Sequence, residues 1–401
     1  MSLTFHGKTK KEIALLLKEN FKYLFKYNKV GEKTGHVLKC INCGREYPIS
    51  IWLFKCSSCN SLLEIKLNLK EAKVKFQRDM DGIWRFQDLL PKVSEIVSLN
   101  EGNTPLIKSK EFENLYFKFE GLNPTGSFKD RGMSVVVSLA KSNGIKKLIV
   151  ASTGNTAASA AAYAARAKME CIVIIPKGKV AKGKLFQTIL HGANIMEIEG
   201  NFDEAIKYVI NKIEKEKEYY PINSFNPWRI EGQKTLSFEL YEKLGNIDNV
   251  IVPVGNGGNI SAIWKGFKEL YELKIINNLP KMIGVQAEGA SPIAETWEKS
   301  LEKPIFFEKP ETIATAIRIG KPVNWQKALK AVRESGGIFI KVKDEEIIEA
   351  QKRLARNEGI GAEPASAAAY AAYLKLKEED MINKYQKTVV VLTGHALKDP
   401  G

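Results

Sequence analysis

Lys129 closes the stretch Asn123-Pro-Thr-Gly-Ser-Phe-Lys129 and opens a helical pattern through Asp130, Arg131 and Gly132. A Pro-Thr-Gly-Ser turn running into a helix start aims a lysine; a solvated one needs no such approach. Three further stretches end strand-like runs in the same manner. ASTGNTAAS at 151–159 sets Ser152, Thr153, Asn155 and Thr156 at a helix start, where hydroxyls, an amide and free N–H groups face an anion. Each alone is ordinarily a cap, but the run holds more than one helix needs. PVGNGGNIS at 253–261 presents Gly255, Asn256, Gly257, Gly258 and Asn259. Its glycines let backbone approach a ligand, and the helix start suits a phosphate. It is neither a Walker loop nor the GxGxxG fingerprint, which disfavours nucleotides. VVVLTG at 389–394 is a buried strand that ends in Thr393.

Cysteine chemistry points elsewhere. Cys40 and Cys43 form one CxxC pair, Cys56 and Cys59 another, and Cys171 lies alone in the apolar run ECIVIIP. Two CxxC knuckles at this separation supply four thiolates to one tetrahedral zinc. A closed sulfur shell leaves no position for substrate, so a structural role is expected. His36 is read as a bystander. A redox role for one pair leaves the other unexplained.

The elements that position these groups follow from periodicity. Residues 8–28 carry apolar positions at helical spacing with lysines opposite and predict an amphipathic helix. The cysteine segment follows at 37–66, then a charged connector to about residue 100 with Trp84 and a short helix at FQDLLP. Beyond it, β-rich runs alternate with helical patterns, the signature of α/β architecture with largely parallel sheets. Ligands in such folds collect where strands lead into helices. The 401 residues suffice for two or three domains, and 44% hydrophobic with 27% charged residues is ordinary globular composition. No apolar run is long enough for a membrane span, and a cytoplasmic protein is expected. The net charge of +15 comes from lysines interspersed with glutamates, a solvated surface that also attracts anionic substrates.

A lysine, a phosphate cradle and a polar ring-binding group fit one small molecule, pyridoxal phosphate, with Lys129 forming the Schiff base. The chain resembles fold-type II pyridoxal-phosphate enzymes, and among them the threonine synthase family. The matching text is EGNTPL at 101–106, NPTGSFKDRG at 123–132, STGNT at 152–156, NSFNPWRIEGQKT at 223–235, PVGNGGN at 253–259, TIATAIRIGKPVNW at 312–325, EPASAA at 363–368 and LTGHALKD at 392–399. The cysteine segment resembles the zinc ribbon that precedes some archaeal and bacterial members. Ala396, Lys321 and Ala362 depart from the usual family text.

The resemblance implies Lys129 as Schiff-base lysine and proton shuttle, and Asn155 on the cofactor's ring hydroxyl. It implies Gly255 to Asn259 on the cofactor phosphate and Thr393 on the pyridine nitrogen. A hydroxyl there, unlike an aspartate, makes a milder electron sink suited to elimination and replacement. The family reaction converts O-phospho-L-homoserine and water into L-threonine and phosphate. Asn223, Ser224 and Arg229 would then form a second anion site, where an arginine fork suits phosphate. Ser152, Thr153 and Thr156 would bind substrate carboxylate or phosphate. His395 is read as structural. The implied organisation is an N-terminal helical extension at 1–36 and a zinc ribbon at 37–66. A large cofactor-binding domain at 67–120 and 223–401 and a small domain at 121–222 would hold the cofactor between them. A homodimer is expected, as is common in the family. Cysteate synthase and threonine dehydratase are the rival enzyme readings. A zinc-ribbon protein that binds nucleic acid is disfavoured, because the ribbon lacks a basic, aromatic-interleaved face.

Overall fold

The computed structural model describes residues 36–69, 74, 76–77, 80–178 and 182–399. The amphipathic helix expected over residues 8–28 lies outside the described residues. Strands are numbered in chain order. β1 (Val37–Cys40), β2 (Glu46–Pro48) and β3 (Leu63–Lys66) form an antiparallel sheet in the order β2-β1-β3. Cys40 ends β1, and Cys43, Cys56 and Cys59 lie in the turns of this small sheet.

Two larger sheets follow. β4 (Leu106–Lys108) and β5 (Leu115–Phe119) lie at one edge of a six-stranded sheet. β6 (Lys147–Ala151), β7 (Glu170–Pro176), β8 (Asn194–Ile198) and β9 (Tyr219–Pro221) form a separate parallel sheet in the order β8-β7-β6-β9. β10 (Asn249–Pro253), β11 (Lys281–Ala287), β12 (Ile338–Val342) and β13 (Thr388–Leu392) complete the six-stranded sheet, ordered β12-β11-β10-β13-β5-β4. Within it only the edge pair β4–β5 is antiparallel. The runs NVIVP and TVVVL are apolar throughout and buried at every position, as strands covered on both faces must be.

The alanine-rich helices Asn155–Ala167 and Pro364–Glu378 are buried over most of their length, since small side chains let a helix seat closely on its neighbours. In the connector, the helix expected at FQDLLP is a 3-10 run over Gly82–Leu89 that stops before Pro91. Leu90 is extended there, as the residue next to a proline tends to be. Trp84 in this run anchors the connector, its Nε1 donating to Ser134 Oγ at 2.8 Å.

Candidate active site

Lys129 begins the helix Lys129–Ser142. Asp130 behind it accepts from Thr125 N at 2.7 Å, Thr125 Oγ1 at 2.6 Å and Ser159 Oγ at 2.6 Å. One carboxylate thus ties the Pro-Thr-Gly-Ser turn to the helix that carries Asn155. Burial pushes Asp130 up to about 6 against those three bonds. The Lys129 amine lies 3.8 Å above the Phe128 ring and makes no hydrogen bond or ion pair among the described residues. Burial depresses its pKa to about 7; the Arg229 charge adds to the drop and Glu363 opposes it. At neutral pH a large share of this lysine is free base, which a nucleophilic or proton-transferring amine requires.

Thr393 reaches the same turn through backbone. Phe128 N donates to Thr393 O at 3.0 Å and His395 N to Gly126 O at 3.0 Å, so the last strand's end is laced to the lysine turn. Glu363, within EPASAA and without an expected role, accepts from Asn155 Nδ2 at 3.0 Å and Thr393 Oγ1 at 3.2 Å. Ser152 Oγ accepts from Gly154 N at 3.3 Å; Ser152, Thr153, Asn155 and Thr156 are all half-buried along one rim.

The glycine loop leads from β10 into the helix Gly258–Glu272. Gly257 is its left-handed N-cap (φ 82°) without a side-chain cap bond, leaving the first-turn N–H groups to a ligand. A Cβ on Gly257 would lie 2.9 Å from Asn324 O and 3.0 Å from Ala328 Cβ, so only glycine fits. Asn324 brackets the loop: its N–H donates to Asn256 O at 2.9 Å and its Nδ2 to Ser224 O at 3.0 Å. Both amide atoms of Asn259 and the Oδ1 of Asn324 are buried without a partner among the described residues. Unpaired buried amides beside a helix start are what a phosphate cradle presents. Pyridoxal phosphate fits these residues: an amine of lowered pKa, unpaired amides at a helix start, and two polar side chains, Asn155 and Thr393, joined through Glu363.

Arg229 proves to be helical. Pro227 (φ −65°) starts the short helix Trp228–Gln233, and Arg229 in its first turn is 3% exposed. Among the described residues its Nη1 donates to Ile222 O at 3.4 Å, its Nε is unpaired, and no carboxylate neutralises it. Burial alone draws it down to about 10. A buried guanidinium without an anion is costly unless a ligand supplies one. Gln233, one turn later, stands between the lysine helix and the glycine loop: a Cβ on Gly132 would lie 3.1 Å from its Nε2 and one on Gly258 3.9 Å from its Oε1. Asn223, expected on substrate, instead commits its amide to Ala151, accepting from N at 3.1 Å and donating to O at 3.0 Å. It holds the end of β6 from which Ser152 and its neighbours spring. Asn324 and Gln233 were missed because an amide inside a helix or loop carries no local signal. TIATAIRIGKPVNW and NSFNPWRIEGQKT, both already noted, contained them.

In the ribbon, the Sγ atoms of Cys40, Cys43, Cys56 and Cys59 lie within 4.8 Å of one another, with Cys40–Cys59 at 3.4 Å and Cys43–Cys56 at 3.6 Å. Tetrahedral Zn–S bonds of about 2.3 Å place sulfurs about 3.8 Å apart, so the four thiols fit a zinc ion.

Residues 97–394 match the family described as pyridoxal-phosphate dependent enzyme. The chain is 50% identical to the threonine synthase of Methanocaldococcus jannaschii over 377 residues, 90% of this chain and 93% of that protein. It is 47% identical to that of Methanosarcina acetivorans, with 90% and 92% covered. It is 52% identical to that of Bacillus sp. (strain ULM1), with 76% and 85% covered. Maize serine racemase shares the fold at TM-score 0.63 and 23% identity, covering 73% of this chain and 88% of that one. Tomato (Solanum lycopersicum) threonine deaminase isoform 2 does so at TM-score 0.63 and 23% identity, covering 73% and 83%. The chain thus belongs to the pyridoxal-phosphate-dependent enzyme family, in the threonine synthase group.

Proposed function

We propose that the chain converts O-phospho-L-homoserine and water into L-threonine and phosphate. The observation that carries the reading is Arg229: a buried guanidinium with no acid paired to it among the described residues, whose charge reaches the Lys129 amine. An anionic group on a substrate held at Lys129 would supply the missing charge. The threonine synthase relatives support the reaction, and the anion site supports a phosphorylated amino acid.

Lys129 would hold the cofactor's aldehyde carbon, Asn155 its ring hydroxyl, Thr393 its ring nitrogen, and Gly255, Asn256, Gly257, Gly258 and Asn259 its phosphate. When bound, pyridoxal phosphate supplies an electron sink that acidifies hydrogens near an amino acid's α-carbon. The Lys129 amine, depressed to about 7, takes and returns the α and β protons at neutral pH. Arg229 and Ser224 hold the departing phosphate, and Asn223 steadies the rim through Ala151. Ser152, Thr153 and Thr156 on that rim receive the substrate carboxylate with the N-terminus of the Asn155–Ala167 helix.

Cys40, Cys43, Cys56 and Cys59 would carry one structural zinc, and free thiols throughout the described cysteines suit a reducing, cytoplasmic setting. The domain limits belong to the same proposal, since β6–β9 all fall within residues 121–222 and β4, β5 and β10–β13 outside them. Among the described residues no helix is long and apolar enough to cross a membrane. The test is threonine formation from O-phospho-L-homoserine by the purified protein with pyridoxal phosphate, beside Lys129→Ala. Threonine only with Lys129 present supports the proposal. A bound chromophore without threonine, but with product from phosphoserine and sulfite, would replace the substrate.

A further inference from the structure

An aromatic bridge runs from the ribbon to the loop that carries Ser224 and Arg229. Tyr220, fully buried in β9, donates from its hydroxyl to Ile51 O at 3.1 Å, and Trp52 meets the same ring edge-on with centroids 5.1 Å apart. Phe54 lies 6.1 Å from the Tyr220 ring and 5.7 Å from that of Phe225, the second contact edge-on at 72°. Among the described residues Phe54 is the one aromatic ring against Phe225. Edge-on pairs at these distances attract, because the positive rim of one ring meets the negative face of the other.

Both ends of the bridge are fixed. Phe54 stands two residues before Cys56, at the neck of the hairpin that holds the second CxxC pair: Leu63 N donates to Phe54 O at 3.1 Å and Cys56 N to Ser61 O at 2.8 Å. Phe225 is 5% exposed although it sits in a loop, between Ser224 and Asn226. Hydrogen bonds tie the rest of that loop. Asn226 donates from Nδ2 to Pro221 O at 2.9 Å and accepts from Trp228 N at 3.0 Å, and Asn324 Nδ2 holds Ser224 O at 3.0 Å. These bonds set the backbone between Ser224 and Arg229, and on the side of Phe225 the turn leans on Phe54.

Ser224 and Arg229 can hold one anion only while the turn between them keeps its shape, since a hydroxyl and an arginine fork must meet oxygens of the same group. We propose that Phe54 is a positioning residue for this anion site: the ribbon, through Phe54 on Phe225, keeps the 223–229 turn in the form that binds the substrate's phosphate. The inference rests on the assignment of Ser224 and Arg229 to a phosphate made above. Phe54 acts through Phe225 and need not touch the substrate. The ribbon then has a task in recognition beside its own fold.

The experiment uses the full chain loaded with pyridoxal phosphate, so that the cofactor's own cradle is filled, and titrates it with inorganic phosphate by calorimetry. Wild type should bind and Arg229→Leu should not, which assigns the heat to this site; binding that survives Arg229→Leu unchanged overturns the inference. Phe54→Ala should raise the phosphate dissociation constant roughly 2- to 10-fold, the strength of an edge-on aromatic pair. The KM for O-phospho-L-homoserine should rise by the same factor with kcat less affected, while zinc content and cofactor affinity stay at wild-type values. Phe54→Tyr, which keeps the ring, should restore phosphate binding. A merely structural residue would lower the unfolding temperature and leave the phosphate constant of the folded holoenzyme alone, and that outcome overturns the inference. A constant that rises only together with loss of cofactor or zinc overturns it too. Should Phe54→Ala fail to fold, Phe225→Leu decides it, and an unmoved constant there overturns it equally. A wild-type holoenzyme that binds no phosphate overturns the inference and the anion site together. One that binds phosphate but forms no threonine overturns only the substrate named above, and the phosphate constant still decides the role of Phe54.

Discussion

At the scale of single residues, a half-buried lysine and a buried arginine, neither in an ion pair among the described residues, define the site. In Lys129 the folded pKa, about 7, lies below the ordinary lysine value of 10.5. The unfolded chain therefore binds more protons between those two values, and stability rises with pH across that window. In cofactor-free protein, Lys129→Met should raise the unfolding temperature. The gain should be full below pH 7 and vanish as pH approaches 10.5, as thermal melts at a series of pH values would read. Arg229 makes the same point with a fixed charge. Arg229→Leu should leave stability unchanged or improved, because an uncompensated buried guanidinium is removed. It should also lower kcat/KM for the phosphorylated substrate by roughly 10- to 150-fold, the worth of a charged hydrogen bond. Arg229→Lys should restore only part of that, since an ammonium lacks the planar fork. Steady-state kinetics beside denaturation would separate the two effects.

At the scale of elements, the glycine loop and the ribbon are the parts whose geometry tolerates least change. Gly257→Ala must accept both a left-handed backbone and a contact of 2.9 Å with Asn324 O. Cofactor affinity should fall roughly 5- to 30-fold in a pyridoxal phosphate titration, from about 1–2 kcal/mol of strain in a cradle that cannot relax. Gly336 is the comparison, with φ 63° but open space around its Cβ position; Gly336→Ala should cost stability and leave cofactor affinity alone. In the ribbon, Lys327 Nζ donates to Leu63 O at 2.9 Å and Lys265 Nζ to Ile65 O, so two lysines of the main body clasp the backbone of β3. Cys43→Ser should abolish a content of about one zinc per chain measured by elemental analysis. The unfolding temperature should drop as β3 loses its support, and cofactor absorbance should persist in the folded fraction.

At the scale of the whole molecule, a charge network behind the lysine helix joins segments far apart in the chain. Arg131 is fully buried, with Nε 2.6 Å from Glu120 Oε2 and Nη1 2.7 Å from Glu239 Oε1, while Lys118 Nζ lies 2.6 Å from Glu239 Oε2. It connects β5, the helix of Lys129 and the helix Thr235–Leu244. Arg131→Ala leaves two buried carboxylates short of their cation and should cost about 3–5 kcal/mol in denaturant unfolding. Little of this network is legible in the chain order, because a charged residue reads as surface until its partners are known. Glu363 is hidden for the same reason, and the helical setting of Arg229 depends on the turn that Pro227 starts.

The chain order alone determined that strands alternate with helices and that Lys129, STGNT, the glycine loop and Thr393 all stand where strands end. It also marked the two CxxC pairs, whose spacing carries their chemistry. These are local properties: periodicity, turn residues and ligand spacing act over a few positions. Only the tertiary structure decided that Glu363 bridges Asn155 and Thr393, that Asn223 is committed to Ala151, and that Arg229 and Lys129 form no ion pair among the described residues. Burial and pairing depend on which segments meet, and long-range packing sets them.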